Sequence, residues 1–369
     1  MKIGIDARLY GTKHRGLGRY VQKLVDGVAK ADDNNQYVVF LASENFDSFN
    51  SNNQRVKKVL LNVRWYSFKE QYLVPLVIKK EKVDLMHFPH FNVPLAYNRR
   101  FIVTIHDLII KHFPNSRATN LPNWKYKLKL KGFDRVLNHA VQKSEKIIVP
   151  SNFVKGDIVS QFQISDSKIK IIYEGYFLET HKEAADISRF GICKPYLLYV
   201  GAAYPHKNLE RLVRVFKKLN QNCEYQLIFV GDLDSFYQRI QKLAGDCPDI
   251  IFTGYVAESE LAGLYQQSIL YVFPSLYEGF GLPPIEAQAH QAPVVSSNRS
   301  SLPEVLKDSA VYFNPENEEE MLEKIKSVLT DENFRRQFIN RGLENIKRFS
   351  WEKMASETIN LYKISKNQN

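Results

Sequence analysis

The strongest constraint on the fold is an alternation of short apolar runs with longer amphipathic stretches, which continues through most of the chain. The apolar runs have the length of strands and are almost continuously hydrophobic. Strands of this kind belong to parallel sheets that helices cover on both faces. About a dozen strands exceed the ~10 that one open sheet holds comfortably. The sequence therefore predicts an α/β protein with two doubly wound, Rossmann-like domains that face each other across an inter-domain cleft.

The alternation also predicts where the elements and the domain boundary lie. Helices are expected at 17–30, 68–80, 124–142 and 153–161, and a last helix at 350–364 has its apolar side chains on one face. The polar stretch 179–188 shows neither the pattern of a strand nor the period of a helix. We therefore expect one domain at 1–180 and a second at 181–349. Strands are expected at 2–7, 37–42, 59–63, 83–88, 101–106, 146–150, 169–173, 196–200, 225–230, 250–254, 270–274, 293–296 and 310–313.

Composition excludes several classes of protein. Hydrophobic residues make up 44% of the chain and charged residues 25%, which is typical of a soluble globular protein and not of a disordered or fibrous one. No run approaches the ~20 apolar residues of a membrane-spanning helix, and the first strand begins without a signal-like leader. Three cysteines without CxxC spacing argue against structural zinc or a disulfide framework. We therefore expect a cytoplasmic protein.

The positive charge is concentrated in one half of the chain. Of the net +11, residues 1–180 carry +13 and residues 181–369 carry −2. Such asymmetry indicates an anionic partner, which could be nucleic acid, a membrane surface or a phosphorylated substrate. Solubility alone explains it equally well.

Two candidate ligand-binding segments lie in this basic half. The segment HRGLGRY at 14–20 precedes a predicted helix, and its two glycines would let a phosphate or sugar approach the backbone closely. His106 and Asp107 follow a buried strand, where the ligands of doubly wound sheets bind. The alternative for the glycine segment is an ordinary glycine turn, and the alternative for His106 is a purely structural histidine.

The second half carries the more specific segments. Lys207 is expected to begin a helix, where a cation is unfavourable, and an anion such as a diphosphate beside it would explain its position. An exposed lysine, which many helices tolerate, is the alternative. The segment EGFGLPPIE at 278–286 places two carboxylates eight positions apart across a strand-to-helix turn. Carboxylates accept hydrogen bonds from hydroxyls and bare backbone amides donate to phosphate. This turn is therefore expected to hold a polyhydroxylated, phosphorylated ligand.

Taken in order, the segments GLGRY, HDL, PHKNL and EGFGLPPIE resemble those of a family 4 retaining glycosyltransferase with the two-domain GT-B fold. The resemblance covers nearly the whole chain, and the Glu-x7-Glu segment is its most specific part. The branch looks like the bacterial mannosyltransferases that build O-antigen, capsule and other surface polysaccharides. In this family the terminal helix, here 350–369, crosses back onto the N-terminal domain.

The resemblance implies a role for each matched residue. His106 would contact the donor sugar near its 6-hydroxyl, Lys207 would neutralise the leaving diphosphate, and Glu278 would hold the transferred sugar. Glu286 would bind the ribose hydroxyls, and Tyr255 would border the base. The remaining donor contacts that it implies are Gly16, Gly18, His206, Phe280, Gly281 and Leu282.

Two further implications concern charge. The family commonly has an arginine near Lys207, but His206 and Ala202 occupy the two candidate positions here. Asp232 and Asp234 mimic the metal-binding DxD of the other glycosyltransferase fold, yet they follow a strand and begin a helix, where capping is expected. We therefore predict that the enzyme uses no metal ion and no other cofactor.

The acceptor side is less specific in sequence. Trp65 and Tyr66 combine with a basic helix in the half that carries the positive charge. Together they would suit a polyprenyl-diphosphate-linked glycan at the inner face of the cytoplasmic membrane. Core packing and a solvated helix face are the alternative. The basic residues of the helix are Lys125, Lys127, Lys129 and Lys131.

The expected reaction is transfer of a hexose to a glycan acceptor with retention of configuration, with mannose from GDP-mannose as the expected donor. A soluble glycosyltransferase that uses a UDP-sugar, a nucleotide-sugar epimerase and a non-catalytic nucleotide-sugar-binding protein remain as alternatives. No helix-turn-helix or other nucleic-acid motif accompanies the positive charge, so a nucleic-acid partner is not expected.

Overall fold

The computed structural model describes residues 1–114, 123–176 and 186–366. These residues form two compact units. The first comprises Met1–Gly175 and Phe349–Asn369, and the second comprises Tyr176–Arg348. The predicted boundary between 180 and 181, and most of the polar stretch 179–188, lie outside the described residues, so the boundary stays a prediction.

The described part of the first unit contains a parallel sheet of seven strands in the order β3-β2-β1-β4-β5-β6-β7. Its strands are β1 Lys2–Asp6, β2 Gln36–Leu41, β3 Val56–Leu60, β4 Leu85–Phe88, β5 Phe101–Thr104, β6 Lys146–Val149 and β7 Ile169–Ile171. Its helices are α1 Arg15–Ala31, α2 Phe68–Glu81, α3 Ile109–His112, α4 Asn123–Lys143, α5 Asn152–Phe162 and, from the end of the chain, α13 Trp351–Lys366.

Each face of this sheet has its own core. Helices α1 and α13 bury their apolar side chains in a cluster on one face. Helices α2, α4 and α5 do so in a second cluster on the other. The central strands β4 and β5 are buried along their whole length, as expected of parallel strands covered on both sides.

The C-terminal helix packs directly on α1. A Cβ atom at Gly27 would lie 2.6 Å from the Cβ of Ala355, so only glycine lets the two helices approach this closely. Tyr362 of α13 is fully buried, and its hydroxyl lies 2.7 Å from Nδ1 of His87 in β4. The last helix therefore packs on the first unit, through α1 and β4.

The described part of the second unit contains a parallel sheet of six strands in the order β10-β9-β8-β11-β12-β13. Its strands are β8 Tyr196–Val200, β9 Gln226–Val230, β10 Ile250–Gly254, β11 Leu270–Phe273, β12 Val294–Ser297 and β13 Val311–Phe313. Its helices are α6 Leu209–Leu219, α7 Ser235–Ala244, α8 Glu258–Gln267, α9 Leu282–Ala289, α10 Leu302–Leu306, α11 Glu318–Thr330 and α12 Glu332–Ile346.

Side-chain caps fix where several helices begin. In each, a side-chain oxygen accepts a hydrogen bond from a backbone N–H of the first turn, which has no partner within the helix. The residues that cap in this way are Ser67, Ser151, Asp234, Asn317 and Asp331.

Strand order locates the ligand-binding edge of each sheet. The chain winds outward from β1 to β3 and then resumes at β4 on the other side of β1. The second sheet does the same from β8 to β10 and resumes at β11. Ligands of such sheets bind at the carboxyl ends of the strands that flank this reversal. Among the described residues, no helix is long and apolar enough to cross a membrane.

Candidate active site

The reversal point of the second sheet brings Lys207 and Glu278 together. Lys207 ends a 3-10 turn, Pro205–Lys207, that follows β8, and Glu278 lies in the loop that follows β11. The Lys207 Nζ is 2.6 Å from Glu278 Oε1, and both side chains are largely buried. Segments 71 positions apart in sequence therefore form one charged site, as expected for strands β8 and β11 that are hydrogen-bonded neighbours.

Backbone hydrogen bonds hold the two loops in place. The Leu276 amide donates to the His206 carbonyl at 2.8 Å, and the Asn208 side-chain amide donates to the Pro274 carbonyl at 3.1 Å. Asn208 adopts a left-handed conformation with φ of 61°, which an asparagine tolerates better than most residues. The ion pair is thus supported by a fixed scaffold.

The loop after β12 supports Glu278 from the other side. The Ser300 hydroxyl accepts a hydrogen bond from the Glu278 amide at 2.9 Å. The hydroxyl of Ser301 donates to the carbonyls of Glu278 and Phe280, at 3.0 and 3.1 Å. Two serines that the sequence analysis missed therefore hold the backbone of residues 278–280 in place.

Helix α9 begins with few amide donors. Gly281 has φ of 99°, and a Cβ atom there would lie 2.9 Å from a methyl carbon of Leu302, so the position favours glycine. Pro283 and Pro284 have no N–H group, so among the first three helical residues only Leu282 has a backbone donor. One helical turn after Leu282, Glu286 is buried, and Tyr265 donates to its carboxylate at 3.5 Å.

His206 does not add a second positive charge beside Lys207. Burial, and then the adjacent Lys207 charge, lower the pKa of His206 to about 3, so the ring is neutral at physiological pH. Tyr255, which would border the base, is 76% exposed after the end of β10. The donor contacts proposed for His206 and Tyr255 stay predictions.

The DxD segment caps a helix. The Asp234 carboxylate accepts from the Phe236 and Tyr237 amides at 3.0 and 3.1 Å. Within the residues that the structure describes, no cluster of three histidine, cysteine or acidic residues has the geometry of a metal site. The absence of a metal requirement stays a prediction.

In the first unit, His106 lies just after β5 at the carboxyl edge of the sheet. Its Nδ1 is 3.0 Å from Glu174 Oε1, its Nε2 is 3.1 Å from the Pro89 carbonyl oxygen, and the Tyr20 ring meets it edge-on at 4.5 Å. Burial alone would lower the pKa of His106, but the hydrogen bond and charge of Glu174 raise it above the ordinary value. Glu174 was not among the predicted site residues, although a carboxylate just after the last strand was the available signal.

The glycines of the first segment lie in a helix and not in a loop before it. Helix α1 begins at Arg15, so Gly16 and Gly18 belong to its first turns. A Cβ atom at Gly18 would lie 2.9 Å from the Leu9 carbonyl oxygen. The lack of a side chain at Gly18 therefore makes room for neighbouring backbone of the same protein. Contact of either glycine with a donor diphosphate stays a prediction.

A buried ionic network lies beside this edge, and the sequence analysis missed it. The Arg8 guanidinium is fully buried and pairs with Asp6 at 2.7 Å and Glu70 at 2.8 Å. The Trp65 ring stacks on it, with its centroid 4.1 Å from the Arg8 Cζ. Trp65 is therefore partly buried against the core, whereas the adjacent Tyr66 is exposed. The four lysines predicted for the acceptor side are all exposed on α4.

Family comparisons now identify the chain. Residues 14–180 match the model described as Glycosyltransferase Family 4, and residues 183–345 match the model described as Glycosyl transferases group 1. The chain belongs to glycosyltransferase family 4. It is therefore a glycosyltransferase, and the resemblance drawn from its sequence motifs is confirmed.

Named relatives of this glycosyltransferase extend over most of its length. O-antigen chain mannosyltransferase B of Escherichia coli is 28% identical over 375 residues, which cover 95% of this chain and 96% of that protein. O-antigen chain mannosyltransferase RfbU of Salmonella typhimurium is 28% identical over 267 residues, which cover 72% and 70% of the two chains. The sucrose-phosphate synthase structure from Thermosynechococcus elongatus superposes with a TM-score of 0.76 at 19% identity, covering 100% of both chains. The predicted GT-B fold is confirmed.

Proposed function

We propose that this glycosyltransferase moves mannose from GDP-mannose to a glycan acceptor in bacterial surface-polysaccharide synthesis, with retention of configuration. The observation that carries the choice of sugar is its similarity, across 95% of the chain, to an O-antigen chain mannosyltransferase. The Lys207–Glu278 site supports a donor with both a diphosphate and sugar hydroxyls, because it pairs a cation with a hydrogen-bond-accepting carboxylate.

In the proposed reaction the bond between the sugar C1 and the diphosphate oxygen breaks, and a bond from C1 to the acceptor oxygen forms on the same face. The acceptor's proton passes to the leaving phosphate. Lys207 and the Leu282 amide stabilise the negative charge that develops on that phosphate. Stabilisation of transition-state charge by preorganised donors is usually the largest single contribution to catalysis. Glu278 and Glu286 accept hydrogen bonds from the sugar and ribose hydroxyls, respectively.

The donor is tested by titrating purified enzyme with GDP-mannose, UDP-glucose and UDP-galactose in parallel calorimetric experiments. We expect the tightest binding for GDP-mannose and transfer of mannose to a lipid-linked acceptor, with α-linked product by NMR. Tighter binding and faster transfer with a UDP-sugar would replace the proposed donor by the alternative one. A product of inverted configuration would contradict the retaining mechanism.

We further propose that the acceptor is held at an anionic membrane, where polyprenyl-diphosphate-linked glycans reside. Helices α2 and α4 pack into the same core cluster, so both cover one face of the first sheet. Their outward sides retain large exposed apolar side chains, with Phe68 92% exposed and Trp124 65% exposed. The other exposed apolar residues of these two helices are Tyr72, Leu73, Leu76 and Leu128.

Charge on the same two helices supports an anionic surface as the partner. Exposed lysines lie among these apolar side chains, and an interfacial helix combines those two features. Each lysine near an anionic surface contributes about 1 kcal/mol, and salt screens the attraction beyond ~8 Å. The exposed lysines are Lys69, Lys79 and Lys80 on α2 and Lys125, Lys127, Lys129 and Lys131 on α4.

Sedimentation with liposomes that contain phosphatidylglycerol tests this surface. One variant replaces the four α4 lysines by alanine, a second carries Phe68→Ser and Tyr72→Ser, and the control carries Leu233→Ser, an exposed leucine of the second unit. We expect both test variants, but not the control, to lose binding, and high salt to affect mainly the contribution of the lysines. Wild-type protein that stays in the supernatant at low salt would overturn the membrane proposal and leave the sugar-transfer proposal intact.

A further inference from the structure

Three histidines lie close together near the carboxyl edge of the first sheet. His87 is in β4, His90 follows that strand and His106 follows β5. His87 and His90 both interact electrostatically with His106. Neighbouring imidazoles cannot all be charged without strong repulsion, so the hydrogen-bond partner of each ring nitrogen decides which of them carries the proton.

The partners of His87 are two hydroxyl groups. Its Nδ1 is 2.7 Å from the Tyr362 oxygen, and its Nε2 is 2.9 Å from the Thr104 oxygen. A hydroxyl can donate or accept, so a neutral ring with one N–H satisfies both contacts. Burial, and then the nearby His106, lower the pKa of His87 to about 3. His87 is therefore neutral.

The partner of His90 is a donor. The Asn92 amide points at His90 Nδ1 with a distance of 3.3 Å, which requires a lone pair on that nitrogen. A ring with an unprotonated Nδ1 is neutral. Burial, followed by His106 and by Arg8, lowers the pKa of His90 to about 3, in agreement with this assignment.

The partners of His106 are both acceptors. The Pro89 carbonyl can only accept, so Nε2 must carry a hydrogen, and Nδ1 faces the Glu174 carboxylate. The proton between Nδ1 and Glu174 resides on the imidazole, because the ordinary pKa of an imidazole lies about two units above that of a glutamate carboxyl group. The other titratable groups that face His106 are Asp107, which favours its charge, and the neutral Tyr20 at its ring edge.

We infer that Glu174 is a positioning residue that keeps the His106 ring doubly protonated and fixes its Nε2–H as a donor at this edge of the sheet. Glu174 is buried, and the hydrogen bond to Nδ1 fixes both the protonation state and the orientation of the ring. A sugar hydroxyl that takes the place of the Pro89 carbonyl would then always meet an N–H. This catalytic consequence rests on the proposed sugar transfer, whereas the protonation pattern does not.

NMR of the ligand-free protein tests the protonation pattern directly. Histidine ring nitrogens are labelled with 15N, and the His106 signals are identified by their loss in His106→Gln. At pH 7.0 we expect both His106 nitrogens to be protonated, while His87 and His90 show neutral rings. A His106 ring whose Nδ1 is unprotonated at this pH would place the proton on Glu174 and overturn the inference.

Glu174→Gln then isolates the contribution of the carboxylate. Glutamine retains the shape and can donate to Nδ1, so Nε2–H survives but the charged ring loses its partner. We expect the His106 titration to move at least about one pH unit lower, as for loss of an adjacent opposite charge. Asp157→Asn is the matched control, because Asp157 lies 2.7 Å from Nε2 of a different histidine, His112. An unmoved titration in Glu174→Gln would overturn the inference.

The pH profile of kcat separates this role from the proposed function. With GDP-mannose and acceptor, the alkaline limb in Glu174→Gln should move to lower pH by the shift that NMR measures, while Asp157→Asn keeps the wild-type limb. A limb that stays in place while the NMR titration moves would remove Glu174 from the positioning role. If the wild type transfers no sugar from any nucleotide sugar, the proposed function fails, and the NMR result still decides the protonation pattern.

Discussion

Lys207 Nζ and Glu278 Oε1 lie 2.6 Å apart at the reversal point of the second sheet. A diphosphate that binds Lys207 must compete with this carboxylate, and sugar hydroxyls that bind Glu278 must compete with the ammonium. A donor carrying both groups satisfies the two partners at once, whereas inorganic diphosphate satisfies only the lysine. If the proposed donor binds here, we therefore expect the pair to favour an intact nucleotide sugar over its fragments.

Replacement of Lys207 by alanine should lower kcat about 10²–10³-fold, the usual cost of removing one preorganised group that stabilises transition-state charge. The structural reason is that His206 is neutral and adds no positive charge beside the lysine. Initial rates with saturating donor provide the measurement. Lys194→Ala is the control, since Lys194 pairs with Asp249 in the same unit but precedes β8 and so lies at the opposite edge of the sheet. An equal loss in both variants would indicate general destabilisation.

Glu286→Ala should weaken donor binding by about 1.5–3 kcal/mol, which is the contribution of a hydrogen bond to a charged group. Glu286 is buried in α9, one helical turn after Leu282, and the family resemblance implies that its partners are the ribose hydroxyls. Isothermal titration with GDP-mannose measures the change, and circular dichroism verifies the fold. The exposed Glu319→Ala on α11 should bind the donor as the wild type does. Wild-type affinity in a folded Glu286 variant would exclude this residue from the site.

Activity should survive EDTA and should not rise when Mn²⁺ or Mg²⁺ is added. Asp234 uses its carboxylate to cap α7, and in the proposed reaction Lys207 neutralises the diphosphate in place of a metal ion. Transfer rates before and after chelation measure this. Complete loss of activity that Mn²⁺ restores would mean that Asp232 and Asp234 bind a metal in the working enzyme.

Much of the fold follows from local pattern. Strand β8 begins and ends at the predicted residues, and α2 extends the prediction by one residue, because continuous apolar runs and a serine cap leave little freedom. Strand β3 was predicted at 59–63 but forms at Val56–Leu60. It is an edge strand in which no residue is buried, so its position depends on pairing with β2, which the sequence does not reveal.

The charged pair of the second unit was predictable and the supporting contacts of the first were not. Lys207 and Glu278 each follow a strand in a recognisable segment. By contrast, Arg8 and Glu70 are far apart in sequence and look like ordinary surface residues, yet a hydrogen-bonded network makes their burial possible. The pairing of Glu174 with His106 depends in the same way on β5, β6 and β7 lying side by side.

Acid should destabilise the protein through His87, and the His106 pair should act in the opposite direction. The folded-state pKa of His87 is about 3, below the unfolded value near 6.5. Its contribution to the free energy of unfolding is therefore present above pH 6.5 and is lost as pH falls towards 3. At pH 5 the loss is about 2 kcal/mol. The raised pKa of His106 gives a contribution that is full below pH 6.5 and is lost as pH rises through that pKa.

Urea unfolding of the wild type and His87→Gln between pH 5 and pH 8 measures the His87 effect. Glutamine can hydrogen-bond to Thr104 and Tyr362 but does not titrate, so the variant should lose about 2 kcal/mol less than the wild type between pH 7 and pH 5. Above pH 7 the two proteins should run parallel, since His87 is neutral in both the folded and the unfolded states there. Equal losses below pH 6.5 would mean that the buried His87 is not held neutral, and the assignment of the charge to His106 alone would fail with it.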